Sequence, residues 1–230
     1  MPNIEKTDID VGCIAIRNEV FRDELLTFAA ADDFAAGTIL ARRAVNLTPV
    51  ASAVTGTGNG TVTALSVVEG PVVPLVGAYV LRCTAIATNG GTFRLEDPNG
   101  AVVATGLVMN AGAGAATIFE VAGLRFTVTD GATDFALNDT INITVAADGK
   151  LVPFDPNGAG GVQRPMAVLT YPVSKASSGD VKVRALVAGE VNASRLVIDA
   201  GGSVTAAILD QLRAAGIAET PVEQLGGYDN

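Results

Sequence analysis

The chain of 230 residues has no histidine and no tryptophan, and only two cysteines. Without histidine, a serine or cysteine hydrolase triad has no base, and no imidazole is available to a metal. Cys13 and Cys83 lie far apart and neither has a C-x-x-C partner, so a structural zinc site is excluded. Both read as packed free thiols of a reducing cytoplasm. Aromatics are 5% of the chain and charged residues 17%. The scarce charge is lopsided, with 24 acids against 15 bases and a net of -9. Such a balance argues against binding a nucleic-acid backbone, which needs a basic face. Ala101 to Phe119 carries no charge, yet Gly106, Gly112, Gly114, Thr105, Asn110 and Thr117 make it a poor spanning helix, so no membrane partner is expected. Met1 to Asp10 holds Glu5, Asp8 and Asp10 and no apolar core, so no secretory signal is expected either.

Hydrophobic residues make up 49% of the chain, mostly Ala and Val, together with 26 glycines. Small side chains and frequent glycines suit tight β-structure with many turns. Residues 1–35 form an acidic arm, with Glu5, Asp8, Asp10, Glu19, Asp23, Glu24, Asp32 and Asp33 against Lys6, Arg17 and Arg22. Within it Ile9 and Val11 alternate, as do Ile14 and Ile16 after a phase shift at Gly12-Cys13. That is extended chain with one apolar face, able either to close the protein's own sheet or to add to a partner's edge.

Ala36 to Arg43 reads as a short strand, and Leu47 to Gly60 as a linker rich in Thr, Ser and Gly. Between residues 55 and 146, alternating runs follow at Thr61 to Val67, Tyr79 to Ala85, Phe93 to Leu95, Leu124 to Val128 and Ile141 to Val145. Asp97-Pro98-Asn99-Gly100 is a type I turn signature between them. This spacing predicts a small antiparallel β-sandwich of immunoglobulin-like size, without the cysteine and tryptophan hallmarks. The segment from Arg82 to Gly100 resembles β-sandwich modules of phage structural proteins. Further on, Val181, Val183, Ala185 and Val187 alternate with Lys182 and Arg184. A helix is expected after Ser203 as N-cap, with Val204, Ile208 and Leu212 on one stripe and Gly216 as its left-handed stop.

No catalytic constellation and no cofactor site emerges. Ser177-Ser178-Gly179-Asp180 sits between two strands and reads as a turn. The run from Gly56 to Gly60 lacks the Lys-Ser/Thr ending of a phosphate loop. Asp130-Gly131-Ala132-Thr133-Asp134, with Asn138 and Asp139 behind it, is the best calcium candidate, although its spacing is not that of an EF-hand. No metal is assigned to it, and Asp155-Pro156-Asn157-Gly158 is another plain turn.

The flanks carry a resemblance. G-K-L-V-P-F-D-P (Gly149 to Pro156), A-V-L-T-Y-P-V (Ala167 to Val173), V-K-V-R-A-L-V-A-G-E-V (Val181 to Val191) and a helix ending A-A-G-I (Ala214 to Ile217) follow one another as in the lambda D-like head decoration proteins of tailed phages. A-G-T-I-L-A-R-R (Ala36 to Arg43) looks like the family strand that should directly precede Gly149. The resemblance implies a mainly β, α+β fold: a barrel-type (β-tulip) core with one short helix. It also implies homotrimers seated on the outer surface of an expanded head against the major capsid protein. The organisation expected is then an arm over 1–35 and a discontinuous core of 36–54 and 147–230, with an inserted immunoglobulin-like sandwich over 55–146. Capsid contact is expected at Ile9, Val11, Ile14 and Ile16. Two alternatives stay open: an adhesion or glycan-binding module touching the host surface, and a tail-tube or baseplate component.

Overall fold

A computed structural model describes residues 14–110, 112, 115–199 and 201–220. The chain divides into two compact units. Arg43–Gly149 with Pro156–Gln163 forms the second, and the remaining described residues form the first.

In the first unit the leading strands are β1 (Ala15–Phe28), β2 (Asp32–Phe34) and β3 (Ile39–Arg42). The second unit supplies β4 (Val50–Ala51), β5 (Thr61–Val67), β6 (Gly77–Ala87), β7 (Gly90–Glu96), β8 (Val102–Met109), β9 (Ala116–Val121), β10 (Leu124–Thr129) and β11 (Thr140–Val145). The chain then returns to the first unit with β12 (Leu151–Pro153), β13 (Pro165–Val168), β14 (Val173–Lys175), β15 (Gly179–Asn192), helix α1 (Ala206–Ala214) and β16 (Ile217–Thr220).

The first unit is a closed barrel. Its strands run β1-β12-β3-β13-β15, and β15 pairs back with β1 to complete a five-membered ring; β16 extends it beyond β15. Closure leaves no unpaired edge at the ring itself, and in so narrow a barrel inward side chains fill the interior. Leu26, Leu40, Leu151, Ala167 and Ala185 are fully buried there. Each leucine so placed contributes about 2 kcal/mol of transfer free energy. The Phe28 and Phe34 rings stack 4.4 Å apart at one end of this core. The strand read after Gly179 is thus one wall of the ring, and it extends to Asn192.

The helix starts later than its sequence suggested. Thr205, not Ser203, is the N-cap; its side chain makes no capping bond, and its carbonyl accepts the Ile208 and Leu209 N–H groups. Ile208 and Leu212 are buried as expected, and Gly216 takes a φ of 96° just past the helix end.

The second unit is two antiparallel sheets around one core. Its five-stranded sheet runs β4-β11-β6-β7-β8 and its three-stranded sheet β5-β10-β9. Tyr79, Leu81, Phe93, Leu95, Ile141 and Ile143 from the larger sheet meet Leu124, Phe126 and Val128 from the smaller. The strand order is not that of an immunoglobulin domain, where the last two strands are neighbours in one sheet. Here β10 and β11 belong to different sheets, because the pairs β4–β11 and β5–β10 nest one inside the other. The uncharged run of residues 101–119 supplies β8 and the first part of β9, which ends beyond it through Glu120. No helix among the described residues is long and apolar enough to cross a membrane.

Residues 47–60 are not a free linker. Val50 and Ala51 pair with β11, Thr55 bridges Thr140, and residues 56–60 dock onto the β10–β11 loop. The dock is a single buried carboxylate. Asp139 accepts the N–H of Thr57 at 2.9 Å, of Gly58 at 2.8 Å and of Ala136 at 2.8 Å. Glycine is required opposite it, since a Cβ on Gly56, already at φ 140°, would overlap the carboxylate. Asn59 holds the Thr133 N–H at 2.8 Å, and Asp134 the Asn89 N–H at 2.9 Å, so three loops lock at one end of the sandwich. At the other end the unit's two chain ends run side by side: Val45 bridges Ala147, and the Gly149 N–H reaches the Arg43 carbonyl at 2.8 Å. Arg43 and Asp148 close that ladder with an ion pair.

Burial disfavours the charged form of Asp139, but the Ala136, Thr57 and Gly58 N–H donors outweigh it and hold the carboxyl below the usual aspartate range. A folded-state value below the unfolded one adds stability that is complete above about pH 4 and lost as pH falls through the folded value. Asp139→Ala leaves three buried donors unpaired and should cost the second unit about 3 kcal/mol in urea unfolding at neutral pH. The deficit against wild type should shrink as pH drops below about 4. A deficit that stays constant down to about pH 2 would show that the ionised carboxylate is not the clamp.

Candidate functional site

Of the four residues expected at the capsid, Ile9 and Val11 lie outside the described residues. Ile14 is 5% exposed, and its carbonyl accepts the Asn192 N–H at 2.9 Å. Ile16 is half-buried in β1. Ile14 thus sits buried just before the barrel's first strand, and Ile16 lies partly exposed within it.

The outward face of the β1–β15 pair is a better-formed interaction surface. Leu26 and Phe28 point into the barrel, so the strand's two-residue period turns Asp23 and Leu25 outward. Opposite them in register stand Arg184 and Lys182. Lys182 pairs with Asp23 at 3.1 Å, and the Arg184 guanidinium lies 5.2 Å from the Phe21 ring centroid. The Arg184 N–H donates to the Tyr171 hydroxyl at 2.8 Å, which fixes that ring on the same face. Leu25 and Tyr171 are 46% and 40% exposed. Apolar spots between mutually neutralised charges suit another protein surface. Sequence reading overlooked this face because it took residues 1–35 as an arm. The signal was there in Leu26 and Phe28, whose spacing repeats the alternation of Ile14 and Ile16.

Metal and cofactor chemistry finds little to work with. Calcium takes six to eight oxygens, whereas the Asp139 carboxylate is already committed to three backbone donors and Asp134 to Asn89. Asp130 is 6% exposed at the inward end of β10, and neither of its carboxylate oxygens has a hydrogen-bond partner. Among the described residues no group of three or more Asp, Glu, Cys or His is placed to hold a metal. An open depression of about 500 Å³ beside β2 and β14 is lined by Asp32, Asp33, Ser174 and Lys175. Burial raises the carboxyl pKa of Asp199, and the charge of Asp32 adds to the effect. Cys83 is buried, and burial raises its thiol too, which keeps it from acting as a nucleophile.

The family model of the bacteriophage lambda head decoration protein D matches residues 14–217. No curated protein and no solved structure matches the chain. The matched span starts at buried Ile14 and ends at Ile217, the first residue of β16. It takes in every strand of the barrel ring, from both sides of the second unit's long segment. The chain belongs to the bacteriophage lambda head decoration protein D family, a structural family of the phage capsid.

Proposed function

We propose that this protein cements the expanded head of a tailed phage, binding the major capsid protein as trimers at local threefold positions. The observation that supports it is the barrel assembled from the two flanks within the family match. Val20, Leu25 and Tyr171 give such a barrel apolar surface to bury against its own copies. Residues before Ile14, Ile9 and Val11 among them, make the capsid contact together with partly exposed Ile16, while Ile14 itself is buried. The second unit is an insertion that projects outward from the shell. Its neighbouring chain ends support that reading, because they let a domain enter between two paired strands without disturbing either. A host-glycan role is less well supported: every described Phe and Tyr of the sandwich is buried, which leaves no exposed ring for a sugar to stack on.

The trimer is tested by light scattering. A mass of about three times the 23.2 kDa chain is expected at micromolar concentration. A monomer there would count against the proposal.

The insertion is tested by excision. Replacing residues 45–147 with an Asn-Gly turn keeps Arg43 opposite Gly149 and should leave a folded trimer that still decorates heads. Loss of the β-sheet circular dichroism signal would show that the two units do not fold independently.

Deleting residues 1–12 should leave the melting temperature and the trimer intact while abolishing binding to expanded heads. Binding equal to wild type would remove Ile9 and Val11 from the capsid contact.

A further inference from the structure

We infer that Arg82 and Arg94, on the outward face of the sandwich's five-stranded sheet, form a seat for an oxyanion, the carboxylate or phosphate group of a ligand. The two residues stand directly opposite each other across β6 and β7. Leu81 and Leu95 beside them point into the core, so both arginines point outward. Besides them, only Glu96 is charged in the sheet's five strands. Like charges directly opposite in a sheet destabilise it, and an anion between them reverses the sign. On the three-stranded sheet the single arginine, Arg125, stands opposite Glu120 and is balanced. Here two arginines share one carboxylate, which leaves one positive charge in excess.

Glu96 serves one arginine and not the other. Its Oε1 lies 2.6 Å from Arg94 Nη2 but 3.6 Å from Arg82 Nε, beyond hydrogen-bond reach. The Arg82 guanidinium donates no hydrogen bond to any described residue. Nor is it splayed into solvent, for the side chain is 30% exposed and its Nε is covered. A ligand therefore meets the Nη edge of a guanidinium that its neighbours already hold in place. That edge carries the parallel donors which match a carboxylate or phosphate two bonds at a time. Thr140 stands opposite Arg82 on its other side, and Thr55 opposite Thr140, so two hydroxyls continue the row. Every described Phe and Tyr of the sandwich is buried, so charge and hydroxyl geometry do the recognising here.

The test titrates the full-length, nitrogen-15-labelled protein with sodium acetate or inorganic phosphate, with sodium chloride holding ionic strength constant. The readout is the NMR shift of the arginine Nε–H groups. Arg82 and Arg94 should move and saturate in the low-millimolar range while Arg125 stays still. A response to acetate alone assigns the seat to carboxylates, to phosphate alone to phosphates, and to both an oxyanion of either kind. Arg82→Lys keeps the charge but loses the planar fork, and should weaken the Arg94 response about tenfold or more. Arg125→Gln should titrate as wild type. Glu96→Gln removes the competing carboxylate and should shift the half-point to lower concentration. Arginine shifts that track ionic strength alone overturn the seat. So does an Arg82→Lys protein that titrates as wild type, or a Glu96→Gln protein that binds more weakly.

Discussion

The barrel exists because β1 and β15 pair. Thr27 and Asp180, hydrogen-bonded across the two strands, are 153 residues apart in sequence. Joining points that distant costs conformational entropy before any contact repays it, and the cost grows only slowly with length. What repays it is a pairing of unusual extent, running in register from Leu186 opposite Phe21 to Gly179 opposite Phe28. β12, β3 and β13 then fill the gap between the two, which converts a ribbon into a ring and places Leu26, Leu40 and Leu151 in one dry interior. Break that pairing and the shorter strands, three or four residues each, have no frame on which to assemble.

The chain leaves the ring for the second unit, and returns from it, where two antiparallel neighbours meet. Arg42 stands opposite Leu151 in the barrel, and within the second unit Val45 stands opposite Ala147. Each unit thus offers adjacent ends, and each closes its own core without borrowing from the other's hydrophobic cluster. Order in the sandwich comes from different physics. Its loops are rich in glycine, and a few buried polar side chains, Asp139 above all, give those loops the hydrogen-bond partners that regular strands would otherwise supply.

Where the sequence alternated cleanly, its reading matched what folded. Leu124, Phe126 and Val128, and likewise Ile141, Ile143 and Val145, point inward from half-wet strands as their period of two implies. Two kinds of information were not visible there. β8 lacks alternation because Gly106 breaks its phase and valine occupies both of its faces. The docking of residues 56–60 is a tertiary event: nothing local in Gly-Thr-Gly-Asn-Gly distinguishes a linker from a loop clamped by a carboxylate over 80 residues away. The same limit applied to the candidate interaction face. Phe21 and Leu25 become a surface only once β15 fixes which side of β1 is inside.

The length of the β1–β15 connection also bears on synthesis. A ribosome adding about 10 residues per second exposes β1 for on the order of 15 s before its partner is made. During that wait β1 is an unpaired strand carrying Leu25, Leu26 and Phe28, the kind of segment that nascent chains lose to aggregation. Its charges answer the hazard: Arg17, Glu19, Arg22, Asp23 and Glu24 put both signs along the waiting strand, and Asn18 at φ 52° kinks it. Several of those charges do little for the finished barrel, where they stand in solvent. Their use is earlier, in keeping the first strand soluble until the last one arrives.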